Sequence, residues 1–322
     1  MATAGKPLPQ APPPLRGLET GEHDDGLLAF AAVRPRLFGI AYRMLGSAAE
    51  AEDIVQDVWL RWQSTNRSMV QNPPAYLATT TTRLCINLAQ SAHTRRETYV
   101  GTWLPEPVDT GSDPTVGAER GEALKLAVLM LLEKLSPTER AAYVLREAFD
   151  YSYHQIADIL QMEEANVRQL VSRARKHIVD NRRTPVSADE QRRLLEAFIT
   201  AARKADMAGL ESLFAENVVS TSDGGGIVPA ARIPVVGRER VAKFIAAASH
   251  FWDGVTLAWV ETNGQAAVLV SRDGVPVALT TIDASEQGID QIVWILRPSK
   301  LAGISKSGQR LSQGCVQGPA AV

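Results

Sequence analysis

Between Ala165 and Arg183 six basic residues, Arg168, Arg173, Arg175, Lys176, Arg182 and Arg183, stand against one acid, Asp180. Guanidinium and ammonium groups at that density can hold phosphates, and Asn166, Gln169 and Ser172 among them can address base edges. Val167, Leu170, Val171, Ala174 and Ile178 recur at i, i+3, i+4, i+7 and i+11. That spacing gathers them on one helical stripe and leaves the polar groups on the other faces. Just upstream, Ile156, Ile159 and Leu160 mark a second, shorter helix ahead of a brief break. The pattern is that of a helix-turn-helix whose second helix can enter a groove of DNA. A helical hairpin with merely solvated charges would share the charge run, but it has no need of the short break or the one-signed polar face.

These groups need a scaffold. The chain has 322 residues, 45% hydrophobic and 22% charged, with a net charge of −2. Such a composition suits two or three globular domains and excludes a uniformly basic nucleic-acid binder, so the basic excess is local. No apolar run approaches the roughly 20 residues of a membrane span. Cys85 and Cys315 are too few and too distant for a disulfide framework or a metal site. Neither a metal nor a cofactor is expected, and a reducing cytoplasm fits.

Residues 1–23 are proline-rich without an apolar signal core and read as a disordered tail. Residues 24–97 are helical in pattern. Ser47 and Glu50 have capping-box spacing, Ile54, Val55, Val58 and Trp62 form a buried stripe, and a further helix runs from Pro74 through Ala92. Residues 98–118 form a linker containing "GTWLPEP". Its prolines predict a stiff, extended segment, and burial of Trp103 and Leu104 would be worth about 1.5–3 kcal/mol each. Residues 119–183 form a second helical module, with helix starts at Ser136–Pro137–Glu139 and at Ser152–Gln155. From Ser187 the character changes: two helices, then "VTLAWV", "AAVLVS", "VALTTID" and "QIVWILR" as strands joined by Asn-Gly and Asp-Gly turns. With a helix at "VGRERVAKFIAAASH", residues 187–302 read as an α+β domain with a curved antiparallel sheet, followed by a flexible tail over 303–322.

Taken together, residues 24–181 resemble the bacterial extracytoplasmic-function (ECF) sigma factors. "AEDIVQDVWLRWQ" looks like their domain 2 core-binding helix, and "NPPAYLATTTTRLCINLAQSAHTRRE" like the helix that reads and melts the −10 element. "LEKLSPTERAAYVLREAFDYSYHQIADILQMEEANVRQLVSRARKHI" is similar to their domain 4. The resemblance extends to the subgroup with a SnoaL-like C-terminal domain. Its WLPEP motif is intact at Trp103, Leu104, Pro105, Glu106 and Pro107. Its DGGGK motif appears as Asp223, Gly224, Gly225, Gly226 and Ile227, and its NPDKL motif as Arg297, Pro298, Ser299, Lys300 and Leu301. The implied fold is two all-α modules, sigma domain 2 and a helix-turn-helix sigma domain 4, followed by an α+β SnoaL-like, nuclear-transport-factor-like cone domain.

The resemblance implies roles. Asp53, Ile54, Val55, Gln56 and Asp57 would bind core RNA polymerase through its β and β′ subunits, a carboxylate face suiting a basic partner helix. Arg83, Asn87, His93, Arg95 and Arg96 would serve the −10 element, Asn87 at a base and the last two arginines at phosphates. Trp59 and Trp62 could stack on bases, although aromatic residues on such a stripe belong more often to a core. For the −35 element, Arg168, Gln169, Ser172 and Arg173, with Asn166, are placed for base edges, and Arg175 and Lys176 for phosphates. The WLPEP, DGGG and RPSKL residues would make interdomain, regulatory contacts, with Trp103 and Leu104 packed against the C-terminal domain.

Sigma factors are not catalysts, so no catalytic residue is expected. SnoaL-like folds do include enzymes, and Asp223, His250, Asp253 and Asp283 are the groups that could act as a base. Isolated carboxylates on a sheet domain are more often surface groups, and the DGGG run reads as a flexible turn. Two functions from different classes follow. One is a sigma factor whose partners are core polymerase and promoter DNA, modulated by its own C-terminal domain, which admits a small-molecule ligand. The other is a helix-turn-helix regulator fused to a ligand-binding or enzymatic domain, without polymerase binding. Residues 24–97 separate them, since such a regulator has no use for a domain 2.

Overall fold

The computed structural model describes residues 20–97, 99–111, 125–180 and 184–304. The first module is α1 (Thr20–Leu45), α2 (Ala48–Ser64) and α3 (Pro73–Glu97). Helix α1 starts at Thr20, ahead of residue 24, where the helical module was expected to begin. The rest of the expected N-terminal tail and nearly all of the C-terminal one lie outside the described residues. Ile54, Val55, Val58 and Trp62 are all buried, and the Trp62 indole donates to Gly26 O at 2.8 Å.

The second module is α4 (Leu126–Leu132), α5 (Pro137–Phe149), α6 (Tyr153–Leu160) and α7 (Glu164–Asp180). Reciprocal capping boxes start α5 at Ser136 and Glu139 and α6 at Ser152 and Gln155. Left-handed residues, Asp150 (φ 57°) and Gln161 (φ 53°), end the same two helices and turn the chain sharply. All five residues of the α7 stripe, Val167 to Ile178, are buried.

The remainder is α8 (Ala188–Arg203), α9 (Met207–Leu213), β1 (Phe214–Asp223), β2 (Val235–Val236), α10 (Arg238–Ala247), β3 (Val255–Thr262), β4 (Gln265–Arg272), β5 (Val275–Ser285), β6 (Gly288–Ile295) and α11 (Pro298–Leu301). One six-stranded sheet has the order β2-β1-β6-β5-β4-β3. The expectation of an antiparallel sheet needs correction. Strand β1 runs parallel to β6, Thr221 opposite Val293, so the sheet is mixed. No strand was expected at β1 because its last four residues, Ser220, Thr221, Ser222 and Asp223, are polar yet all buried. Hydrophobic alternation carries no signal there.

Alternation on the other strands does set two faces. Val268, Val270, Ile292 and Trp294 pack with Phe198 and Ile245 under the domain's own helices. Ala267, Leu269, Val293 and Ile295 face the other way, into a cluster that also contains Leu104 and the helical modules. The sheet is therefore covered on both sides. One cover is the rest of the protein.

Candidate nucleic-acid interface and interdomain clasp

Packing of its apolar stripe fixes the roll of α7 and turns Asn166, Arg168, Gln169, Ser172, Arg173, Arg175 and Lys176 outward, all exposed. Three of these cations meet acids: Arg168 with Glu164 at 2.5 Å, Arg173 with Glu139 at 3.4 Å and Arg175 with Glu147 at 2.7 Å. Exposed pairs of this kind are worth about 0–1 kcal/mol, so phosphates can displace the acids at little cost.

On α2, Asp53, Gln56 and Asp57 are exposed along one face. Ile54 and Val55 were expected beside them at the polymerase contact, but they are 5% and 2% exposed. A helix that buries its stripe has only the opposite face to offer, so these two residues act in packing. Trp62 is buried, which removes its indole from base stacking, and Trp59 is half-buried with its ring centroid 4.9 Å from that of Phe30. On α3, Asn87 is exposed. His93, Arg95 and Arg96 lie in its last turns, and their side chains are outside the described residues. Arg83 is exposed, yet it also reaches the second module: its guanidinium donates to Ile159 O at 3.0 Å and Asp158 O at 3.5 Å, at the end of α6.

Further cations join the two helical modules. The Arg36 guanidinium donates to Phe149 O at 2.8 Å and sits 4.9 Å from the centroid of the Tyr151 ring. Arg140, 4% exposed, donates to Met44 O at 2.6 Å and to Glu133 at 2.7 Å. These arginines escaped the sequence reading because each lies on a helix whose charges look solvated until the partner helix is in place.

From Thr102 to Val108 the linker is neither helix nor strand, and all three regulatory motifs converge on one carboxylate. Asp223, at the end of β1, is fully buried, which corrects its reading as a surface carboxylate. Its Oδ1 accepts from the Tyr99 hydroxyl at 2.6 Å and Gly225 N at 3.1 Å. Oδ2 accepts from Leu104 N at 3.1 Å and the Lys300 ammonium at 2.7 Å. Lys300 also donates to Leu104 O and lies 4.5 Å from the centroid of the Trp103 ring. Arg297 donates to the Tyr99 hydroxyl at 3.1 Å. Nor is the DGGG run a loose turn. Gly225 and Gly226 adopt φ of 59° and 72°, which let the backbone curl round to the carboxylate. Burial pushes the Lys300 ammonium below its ordinary pKa while the Asp223 carboxylate pulls it back. Burial and the bond to Asp223 push the Tyr99 hydroxyl up to about 12.

Glu106 extends the same segment into the first module. Its Oε2 accepts from Ala48 N at 2.9 Å and from the Ser47 hydroxyl at 3.1 Å, so the linker adds a carboxylate to Glu50 at the first turn of α2. Trp103 closes over Gly46, where φ is 67° and an added Cβ would lie 2.8 Å from the indole. A second junction uses the β3–β4 turn. Buried Asn263 accepts from Val108 N at 3.1 Å and donates to the Tyr42 hydroxyl at 2.7 Å, and that hydroxyl donates to Glu106 O at 2.6 Å. Asn-Gly was legible as a hairpin turn, but nothing in the sequence marked its side chain as a contact between domains.

The groups considered as a catalytic base do not assemble. Asp223 is held by four donors, His250 lines an aromatic pocket while nearby Asp253 is exposed and outside its lining, and Asp283 lines a different cleft together with Lys125. Among the described residues no helix is long and apolar enough to cross a membrane.

Residues 29–96 match the family model for Sigma-70 region 2, and residues 125–178 that for Sigma-70, region 4. The chain is 39% identical over 222 residues to the ECF RNA polymerase sigma factor SigJ of Mycobacterium tuberculosis, covering 67% of this chain and 70% of that protein. It is 32% identical over 288 residues to the probable ECF RNA polymerase sigma factor SigI of the same species, covering 87% and 96%. The crystal structure of SigJ superposes with a TM-score of 0.70 at 31% identity, over 86% of this chain and 98% of that one.

Proposed function

This chain belongs to the ECF RNA polymerase sigma factors, and from that we propose how its parts divide the work of directing core polymerase to promoters. The exposed face of α2, Asp53, Gln56 and Asp57, engages the clamp of the β′ subunit. Asn87 and the basic end of α3 hold the opened −10 element, and the outward face of α7 reads the −35 element. The C-terminal domain holds these surfaces in a closed arrangement through a clasp of Trp103, Leu104, Asp223, Arg297 and Lys300. The competing reading, a one-component regulator without polymerase binding, leaves the region 2 match over residues 29–96 without a purpose.

One observation carries the clasp. The buried Asp223–Lys300 pair grips both the amide and the carbonyl of Leu104 in the linker between the two helical modules. With the clasp closed, the modules touch through Arg36, Arg83 and Arg140. Promoter elements named for positions 25 base pairs apart are separated by about 85 Å at 3.4 Å per step. Modules in contact cannot reach both, so productive binding needs the linker released. Run-off transcription with purified core polymerase, on fragments selected by the reconstituted holoenzyme, tests the division of roles. No core-dependent initiation at any fragment would refute it.

A further inference from the structure

The sheet domain contains a pocket that the clasp does not use. It occupies about 190 Å³ between the end of α10, the segment Ser249–Trp252, strand β6 and the loop over residues 229–231. Phe251, Trp252 and Trp294 line it and meet edge to face or tilted: Phe251–Trp252 at 5.3 Å and 79°, Phe251–Trp294 at 6.3 Å and 85°, Trp252–Trp294 at 6.0 Å and 59°. Phe244 completes the aromatic wall and, like Phe251, is only half-buried. Among the described residues no Asp, Glu, Lys or Arg lines it; besides the indole N–H groups, its polar side chains are the Ser222 hydroxyl and the exposed His250 imidazole.

We propose that this pocket binds a small, neutral, planar aromatic molecule of one or two rings, and that occupancy is transmitted to the Asp223 clasp. The volume sets the size: an apolar cavity of about 150 Å³ accepts benzene, so 190 Å³ suits a substituted single ring or a fused bicycle. The lining sets the chemistry. Rings at near-perpendicular angles offer both edges and faces to a planar guest. The absence of charged side chains from the wall would leave an ionised guest desolvated and unpaired. One hydroxyl and one imidazole can serve a single polar substituent.

Chain connectivity supplies the coupling. Ser222 and Leu296 line the pocket, and the next residues, Asp223 and Arg297, belong to the clasp. Leu296 N and Arg297 N both donate to the Asp223 carbonyl, at 2.9 and 3.1 Å. Across the pocket, the segment 228–231 packs on the DGGG turn so tightly that a Cβ on Gly224 would collide with Val228 O and lie 2.9 Å from the Ala230 side chain. A guest that moves either wall moves a neighbour of Asp223. The binding claim stands alone; the coupling claim rests on the clasp reading above.

The test uses the full chain and indole as the probe, with 1-heptanol as an aliphatic comparison. Saturation-transfer NMR should show indole bound to the unaltered protein. The signal should be lost in Ala248→Phe and in Ala231→Phe, which plug the pocket from two sides, with folding checked by near-ultraviolet circular dichroism. No signal from the unaltered chain, or an undiminished one from both folded variants, overturns the site. Heptanol competing as well as indole overturns the aromatic class. For the coupling, saturating indole should change amide exchange over residues 99–107 by at least twofold. If Asp223→Asn alters that exchange but indole does not, the coupling fails and the clasp survives. If Asp223→Asn leaves it unaltered, the clasp reading is what fails, and with it the coupling.

Discussion

Asp223 brings together residues from the linker, the DGGG turn and α11, and removing it leaves a buried ammonium without its counter-ion. Loss of one partner of a buried pair costs about 3–5 kcal/mol, so Asp223→Ala or Lys300→Ala should lower the denaturation midpoint markedly. The double replacement Asp223→Leu with Lys300→Met should recover part of that loss, because neither desolvated charge remains. If the double variant is as unstable as the sum of the singles, the two groups are not coupled. Tyr99 gives a pH signature. Its folded-state pKa is raised from 10.0 to about 12, so its contribution is complete below pH 10 and is lost as pH rises towards 12. Denaturation of the parent should therefore lose stability across that window relative to Tyr99→Phe, and parallel curves would exclude the assignment.

At the scale of the element, α7 and α2 show how a helix's buried stripe dictates which residues reach a partner. If α7 reads the −35 element, Arg168→Ala or Arg173→Ala should reduce discrimination between promoter sequences by about 1–3 kcal/mol per lost base contact. Lys176→Ala should instead weaken binding to any sequence and flatten its salt dependence. Electrophoretic titrations over several salt concentrations distinguish the two patterns, and equal losses for all three would make the helix a phosphate clamp alone. On α2, Asp53→Ala with Asp57→Ala should weaken association with core polymerase while helical content stays constant. Unchanged affinity in a pull-down titration would move the contact elsewhere.

For the whole molecule the question is closure. Fluorophores on the first and second helical modules should report proximity in the free protein and a separation approaching about 85 Å on promoter-bound holoenzyme. Truncation after Pro185 removes Asp223, Lys300 and Asn263 together, and so should lengthen the free-state distance and alter transcription. A cut before Arg297 leaves the Asn263 junction in place and should have an intermediate effect. Equal distances and activities for all three forms would mean that the sheet domain exerts no control.

Helix stripes, capping boxes, hairpin turns and the outward cations of α7 were legible in the sequence because each depends on residues within one or two turns of each other. The motifs WLPEP, DGGG and RPSKL could be read as regulatory, with Trp103 and Leu104 against the C-terminal domain, only through a resemblance; the buried Asp223–Lys300 pair that makes the contact was not legible. Asp223 meets Leu104 and Lys300 across 119 and 77 residues, and Asn263 meets Tyr42 across 221. Strand β1 was missed for a related reason, since a strand buried through polar residues has no hydrophobic signature. Local periodicity can say which face of an element is buried. Only the tertiary structure decided what buries it, because burial of a charge such as Asp223 becomes favourable only when partners from distant segments arrive together.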